Sequence, residues 1–266
     1  MRIDFVGNSH LGTIAPALTK ARGDREVAHF ISRTYGSVDA VLVGDSGSVE
    51  LPFIQLEDTP RYGAEIDARR ADAVVAVGLN FSLVQMVKLW ESFAPVDSIG
   101  EYGVPSLSDV VWNAYVDAAF DQIFMTRLLR LLLDAGAQQV IVIPQPAPAL
   151  WASQRDGERF ALYGQLLASG DWNRVLEDFA RQVRRLEDAG ARVYPQPLAT
   201  LTDDGFTEDA YAMGDPSDTG ADSFYSRGDF YHMNRSFATA LASDFYDWLG
   251  GSGSSLTGEA PSKARS

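Results

Sequence analysis

The residues of this chain that are best suited to chemistry form an acyl-transfer set. Ser9 follows a short apolar run, and Asp229 precedes His232 by three positions near the carboxyl end. A serine hydroxyl is a weak nucleophile until a base removes its proton, and histidine is well suited to be that base near neutral pH. An aspartate beside the histidine fixes its tautomer and stabilises the imidazolium ion. These residue types predict a nucleophile, a base and an orienting acid.

Attack on an acyl group creates an oxyanion, which needs hydrogen-bond donors. Asn80 follows a second apolar run, and its side-chain amide is a suitable donor. The main-chain N–H of Ser9 is another candidate, because it lies at the start of a predicted helix. A third donor is predicted from a glycine that follows the second strand, such as Gly36 or Gly44.

Each of these residues also has a purely structural explanation. Ser9 and Asp229 are favoured types for a helix N-cap, and Asn80 is a common turn residue after a strand. His232 could be a hydrogen-bonded residue in the first turn of a helix. The chain has only three histidines, however, and one of them lies in an Asp-x-x-His sequence near the carboxyl end. The combination favours catalysis over four unrelated structural roles.

The elements that must position these residues alternate along the chain. The predicted strands are Ile3–Val6, Val27–Ser32, Ala40–Val43, Leu51–Leu56, Ala73–Val77, Gln139–Ile143 and Ala191–Tyr194. The predicted helices follow Ser9, cover Ser106–Gly136 from a capping box at Ser106–Asp109, cover Asp156–Gly190 with a break near Gly170, and follow His232. This alternation predicts an α/β fold with a mainly parallel sheet covered on both faces. Ligands bind such sheets beyond the carboxyl ends of the strands, where Ser9 and Asn80 are expected.

The sequence resembles the SGNH, or GDSL-like, hydrolase superfamily, which is named for serine, glycine, asparagine and histidine in separate blocks. Gly7-Asn8-Ser9-His10 resembles the first block, Gly78-Leu79-Asn80 the third, and Asp229-Phe230-Tyr231-His232 the Asp-x-x-His block. Asn8 stands where the family often has aspartate, and His10 where it often has leucine. The resemblance extends over residues 1–249. It implies a flavodoxin-like three-layer α/β/α sandwich around a mainly parallel five-stranded sheet.

The resemblance also implies individual roles. Ser9 would be the nucleophile, His232 the base, Asp229 the orienting acid and Asn80 an oxyanion donor. Gly36 is the choice for the glycine of the second block, without the glycine–asparagine context that is usual there.

A second serine matches the family's name more literally. Gly44-Asp45-Ser46 spells the family's tripeptide, but a proline and no helical face follow it. Ser9 is preferred because a nucleophile presented at a strand-to-helix turn requires the helix.

Two further residues are predicted to contact substrate. His10 follows the nucleophile and could line the pocket, and a solvent-exposed position at the helix start is the alternative. Trp151 follows a proline-rich turn and is the one tryptophan that does not lie on a predicted helix-packing face, which makes it a candidate for stacking on a sugar. His29 lies inside a predicted strand and is expected to be structural.

Composition limits the partners. The chain has 22 basic and 36 acidic residues and a formal charge of −14, which argues against a nucleic-acid partner because phosphate binding needs clustered cations. It has no cysteine, so disulfides and thiolate metal sites are excluded. The acidic stretch Thr202–Gly228 lacks the spacing of an EF-hand and is predicted to be a solvated loop, a rim or a lid, with no metal.

The compartment and domain organisation follow from the same reading. No apolar run approaches the ~20 residues that span a bilayer, so no membrane partner is predicted. Asp4 interrupts the first apolar run, which argues against a secretory signal and favours a cytoplasmic location. One domain is predicted over residues 1–249, and the small, polar residues 250–266 are predicted to be a disordered tail.

The residues and the resemblance together predict a serine esterase that needs no cofactor. The resemblance implies a small-molecule or carbohydrate ester as substrate, such as an O-acetylated sugar. Acyl transfer to a sugar acceptor is one alternative. A non-catalytic carbohydrate-binding or assembly protein on the same fold is another. The oligomeric state is not predicted.

Overall fold

The computed structural model describes residues 1–31, 42–43, 48–50, 65–218 and 220–251. In chain order, the strands are β1 (Arg2–Gly7), β2 (Glu26–Ile31), β3 (Leu42–Val43), β4 (Ser48–Glu50), β5 (Glu65–Asp67), β6 (Ala73–Gly78), β7 (Ala94–Pro95), β8 (Ser106–Leu107), β9 (Val140–Pro144) and β10 (Arg192–Val193). The helices are α1 (Ser9–Ala21), α2 (Leu83–Trp90), α3 (Asp109–Asp121), α4 (Phe124–Asp134), α5 (Glu158–Ser169), α6 (Trp172–Asp188) and α7 (Arg235–Leu249).

A parallel sheet of five strands forms the centre of the fold, in the order β10-β9-β6-β1-β2. The central strand β6 has the sequence AVVAVG and is buried along its whole length, which its unbroken apolar pattern predicts. Helix α1 packs against α7, while α6 packs against α2, α3 and α5. The predicted three-layer α/β/α arrangement with a mainly parallel five-stranded sheet is therefore confirmed.

The sheet register brings two loops of interest together. Strands β1 and β6 are neighbours, with Gly7 opposite Val77. Strands β6 and β9 are also neighbours, with Gly78 opposite Pro144. The loops after β1 and β6 therefore leave the same edge of the sheet side by side, and this edge is where an open parallel sheet binds ligands.

The stretch predicted as one long helix over Ser106–Gly136 is three elements. Ser106 and Leu107 form β8, which pairs with β7, so the predicted capping box is wrong. Ser108 is the N-cap of α3 but makes no side-chain capping bond. Helix α3 ends at Asp121, and α4 begins at Phe124 after a break. The break has a tertiary cause, since the Met125 N–H donates to the carbonyl of Leu79, 3.3 Å away, instead of continuing one helix.

Other helix ends follow local sequence signals. The predicted break near Gly170 is confirmed, because this residue ends α5 in the left-handed conformation with φ of +88°. Helix α7 begins after Asn234, whose side chain accepts hydrogen bonds from the N–H groups of Ser236 and Phe237. The buried face of α7 consists of Phe237, Ala238, Leu241, Ala242, Phe245 and Tyr246.

Several predictions lie outside the described residues: the strand over Leu51–Leu56, the candidate donor Gly36, the Gly44-Asp45-Ser46 tripeptide and the tail from residue 252 onward. Beside the central sheet, the described segments include a three-stranded antiparallel sheet, β3-β4-β5. Across the part of the chain that the structure covers, no helix is both long enough and apolar enough to cross a membrane.

Candidate active site

Ser9 lies at a tight turn between β1 and α1. Asn8, not Ser9, caps the helix, since its side-chain oxygen accepts a hydrogen bond of 3.1 Å from the His10 N–H. The Ser9 side chain is left exposed as the first residue of α1. The turn requires glycine at position 7, because a Cβ atom there would lie 2.7 Å from Leu11 Cβ and 2.8 Å from the Val77 carbonyl oxygen. Because Asn8 provides the cap, the structural explanation of Ser9 as an N-cap is wrong.

Ser9 lies next to His232, although 223 positions separate them in the chain. Ser9 Oγ is 2.9 Å from His232 Nε2. His232 Nδ1 is 2.8 Å from Asp229 Oδ2 and 3.0 Å from Asp229 Oδ1. An ionised carboxylate can only accept hydrogen bonds, so His232 Nδ1 must carry the proton. His232 Nε2 is then free to accept a hydrogen bond from the serine hydroxyl.

The Asp229–His232 segment is held by main-chain bonds rather than by a helix. The Phe230 carbonyl accepts from the Ala149 N–H at 2.8 Å, and the His232 carbonyl accepts from the Met213 N–H at 2.9 Å. Asn234 caps the following helix, so the structural explanation of Asp229 as its N-cap is wrong. The acidic carboxylate instead accepts from the His232 N–H at 3.2 Å as well as from its ring.

The electrostatics of Asp229 favour an ionised carboxylate. Burial alone would raise the pKa of Asp229, but hydrogen bonds from the His232 ring and from the N–H groups of His232 and Tyr231, together with attraction to the His232 ring, outweigh burial and hold the pKa below its usual range. The carboxylate is thus negative at neutral pH and can stabilise a positive charge that develops on the imidazole.

Asn80 lies in a strained loop after β6. Gly78, Leu79 and Asn80 have φ values of +72°, +46° and +66°, so three successive residues adopt the left-handed region. Residues other than glycine rarely adopt this conformation, and such strain often accompanies a functional site. Leu79 is fully buried and anchors the loop, while Asn80 is exposed beside Ser9 in the same cleft.

Substitution of Gly78 tests how tightly this loop packs on the first loop. A Cβ atom at Gly78 would lie 2.7 Å from Asn8 Oδ1 and 3.3 Å from His10 Cδ2, in a backbone with φ of +72°. We expect Gly78→Ala to destabilise the fold by about 1–3 kcal/mol and to disturb the cap that positions Ser9. Urea unfolding measures this loss.

Gly103→Ala is the matched control for that measurement. Gly103 has a similar φ of +68°, but no atom lies within 4 Å of the added Cβ. It therefore reports the conformational cost alone, and equal losses for both variants would contradict a packing role of Gly78.

A cleft of about 360 Å³ opens in front of Ser9 and His232. Its walls are largely polar and come from the loops after β1, β6 and β9, from α2, from α5 and from the Asp229–His232 segment; they include Asn80, Gln85, Lys88, Glu91, Gln145, Arg159, Tyr163, Phe230 and Tyr231. Tyr163 is only 4 % exposed, and burial raises the pKa of its hydroxyl. Most of these residues carried no signal in the sequence, although Phe230 and Tyr231 lie inside the Asp-x-x-His motif.

The two residues predicted to contact substrate occupy different places. His10 lines the cleft but is buried to 5 % exposure, so the solvent-exposed alternative is wrong. Trp151 is 2 % exposed and does not line the cleft. Its ring packs on Tyr225 and Phe160, and on Phe230, which does line the cleft. Because its side chain is almost entirely buried, Trp151 has no open face for a sugar, and that part of the prediction is corrected.

Two other predictions concern oxyanion donors and metal. Gly36 lies outside the described residues. Within the described residues, the candidate oxyanion donors besides Asn80 are main-chain groups such as the Ser9 N–H. No group of three or more His, Asp or Glu side chains within the described ranges is close enough to hold a metal ion. His29 lies on β2, away from the cleft, with its ring stacked on Phe5.

Comparison with known proteins adds a remote structural likeness. No protein-family model matches this chain, and no curated protein matches it. Among solved structures, it is similar to a protein of Bacteroides fragilis NCTC 9343 described as a "putative acylhydrolase", with 12 % identity, coverage of 94 % of this chain and 87 % of that chain, and a TM-score of 0.43. At this identity and TM-score, no activity is transferred from that protein to this chain.

Proposed function

We propose that this protein is a serine esterase of the SGNH type, which cleaves a short acyl ester through a covalent acyl-enzyme. The observation that carries the proposal is the unbroken hydrogen-bonded series from Ser9 Oγ to His232 Nε2 and from His232 Nδ1 to Asp229. The contact between Ser9 and His232 is short enough for proton transfer, and the contact with Asp229 fixes the tautomer of His232.

The mechanism follows from this series. Ser9 Oγ attacks the ester carbonyl carbon while its proton moves to His232 Nε2. The imidazolium ion is stabilised by the Asp229 carboxylate and then gives the proton to the leaving alcohol, which leaves Ser9 acylated. Water then attacks the acyl group in the same way, with His232 again taking and returning the proton, and the free acid is released.

The oxyanion of each tetrahedral intermediate needs donors in the cleft. We assign this role to the Asn80 side-chain amide and to the Ser9 N–H at the start of α1, with the Gly36 N–H as a third donor. Asn80 and Ser9 line the same cleft, and the Asn80 side chain has no hydrogen-bond partner among the described residues. With no partner among the described residues, this amide can donate to the substrate.

Replacement of Asn80 by alanine should lower kcat by roughly 10²–10³-fold, because one oxyanion donor is lost. The KM should change little, since the donor acts on charge that develops in the transition state. Steady-state hydrolysis of p-nitrophenyl acetate measures both constants. A loss below tenfold would remove Asn80 from the oxyanion site.

The cleft supports a short acyl group attached to a polar alcohol. Its volume of about 360 Å³ is at the lower end of ligand sites, and its walls carry amides, charges and tyrosines rather than a continuous apolar surface. An O-acetylated carbohydrate has this chemistry, whereas a long acyl chain would need an apolar channel.

A serine-directed fluorophosphonate probe tests the proposed activity most directly. We expect the wild-type protein to be labelled and Ser9→Ala to remain unlabelled, because the probe reacts only with an activated serine. A panel of p-nitrophenyl acyl esters and acetylated sugars then identifies the acyl group and the alcohol. Absence of both labelling and hydrolysis in the wild type would favour the non-catalytic binding module instead.

A further inference from the structure

His10 forms part of the wall between the cleft and a second cavity. Its ring lines the cleft on one side and, on the other, a small apolar cavity that includes Ile14, Val77 and Phe237. The main chain of His10 is fixed by the bond from its N–H to Asn8 Oδ1, and its ring lies close to Gly78, where a side chain would crowd it. The position of this ring is therefore set by the same two loops that present Ser9 and Asn80.

The His10 ring covers one face of the His232 ring. The two ring centroids are 4.8 Å apart, and the planes differ by only 19°. Tyr231 contacts His232 from a tilted direction, with centroids 4.8 Å apart at 45°. Hydrogen bonds to Ser9 and Asp229 hold the two nitrogen atoms of His232 at its edges, and contact with a face is what fixes the remaining freedom, the plane of the ring.

We propose that His10 is a positioning residue for the proposed hydrolysis: its ring stacks on His232 and keeps the imidazole plane aligned with both Ser9 and Asp229. The inference rests on the proposed function. It assigns to His10 a task other than substrate contact, and it depends on a flat ring at position 10 rather than on an imidazole as such.

The charge state of His10 supports this role. Burial, together with repulsion from a charged His232, lowers the pKa of His10 to about 3, although Asp229 opposes the shift. The ring is therefore neutral at working pH. A second imidazolium ion would repel the positive charge that the mechanism creates on His232, and a neutral ring at position 10 avoids this repulsion.

Two substitutions distinguish the effect of a flat ring at position 10 from the effects of an imidazole and of apolar bulk. His10→Phe keeps a flat neutral ring without nitrogen atoms, and His10→Leu keeps apolar bulk without a flat face. We expect His10→Leu to lower kcat by about 10- to 100-fold with KM within twofold of wild type, because small errors in geometry are costly to reaction rates. His10→Phe should restore kcat to within about threefold of wild type, as a stacking role requires.

His29 provides the matched control. Like His10, it is a histidine stacked on an aromatic ring, here Phe5 at 5.4 Å and 20°; it is partly buried, and burial lowers its pKa to about 4. His29→Leu and His29→Phe should leave kcat unchanged once the fraction of folded protein is accounted for. Thermal unfolding and the stoichiometry of fluorophosphonate labelling give that fraction for every variant.

The outcomes distinguish this inference from the proposed function. If the wild type hydrolyses esters and His10→Leu has an unchanged kcat per labelled site, the positioning role is wrong. If His10→Phe is as impaired as His10→Leu and KM rises in both, the imidazole contacts substrate and the positioning role is again wrong. If the wild type neither reacts with the probe nor turns over any ester, the proposed function fails and this inference fails with it.

Discussion

Replacement of Ser9 by alanine should reduce ester turnover by about 10⁴-fold or more, since the acyl-enzyme can no longer form. The fold should be unaffected. The Ser9 side chain is exposed, and within the described residues its hydroxyl bonds to His232 alone. Steady-state kinetics on p-nitrophenyl acetate measures the loss, and circular dichroism checks the fold.

Ser236→Ala is the matched control for this substitution. Ser236 is also an exposed serine in the first turn of a helix capped by asparagine, but it lies on α7 and does not line the cleft. Its replacement should leave turnover unchanged. A loss below tenfold in Ser9→Ala would remove Ser9 from the mechanism.

A variant with both Ser9→Ala and His232→Ala tests the same prediction more strictly. His232→Ala should cost as much as Ser9→Ala, because an unactivated serine is a poor nucleophile. Groups that act as one unit are strongly non-additive, so the variant with both substitutions should be about as active as either single variant. Losses that multiply in the double variant would show that Ser9 and His232 act in separate steps.

The parallel character of the central sheet and the meeting of Ser9 with His232 could be predicted from the sequence. Strand β6 is apolar at every position, and Asp229 and His232 have a spacing that brings carboxylate and imidazole together within one turn of chain. Parallel strands place their carboxyl ends at one edge, so the residues after β1 and β6 were expected at the same edge of the sheet. That β1 and β6 are direct neighbours is known from the structure. These signals are local or follow from topology.

Other features depend on tertiary contacts that leave no local signal. Trp151 follows a proline-rich turn, yet its side chain is buried, and it makes an edge-on contact with Phe230 from a distant segment. The helix break before Phe124 arises from a bond to Leu79. The left-handed backbone at Leu79 runs against the preference of leucine and is held by the core in which this side chain is buried, whereas asparagine tolerates the same conformation at position 80.

The stack of His10 on His232 belongs to the same class. Sequence shows that His10 follows the nucleophile, but its contact partner lies more than two hundred positions away, and nothing local indicates the angle between the two rings. The burial of His10 also depends on distant residues, since Phe237 and Leu241 of α7 line the apolar cavity beside it. The sequence could therefore identify the groups that exchange protons, whereas the residues that align those groups could be identified only from the structure.

Replacement of Asp229 by asparagine should lower kcat by about 10⁴-fold through a change of tautomer. The asparagine oxygen can still accept from the His232 N–H, a bond of 3.2 Å in the wild type, so the segment should keep its place. Toward the ring, however, the new amide group donates to Nδ1. The proton of His232 then moves to Nε2, which can no longer accept from Ser9.

Asp209→Asn is the control for a lost carboxylate. Asp209 lies in the acidic stretch that precedes Asp229, and its side chain accepts from the Trp151 N–H at 2.9 Å without lining the cleft. Its replacement should change kcat by less than about threefold, because an amide oxygen accepts this bond as well as a carboxylate does. Retention of more than a tenth of wild-type kcat in Asp229→Asn would show that the carboxylate does not set the tautomer. Because the carboxylate is held ionised by its bonds to His232, we expect the full loss throughout the neutral range, where charge on Asp229 stabilises the imidazolium ion and an amide cannot.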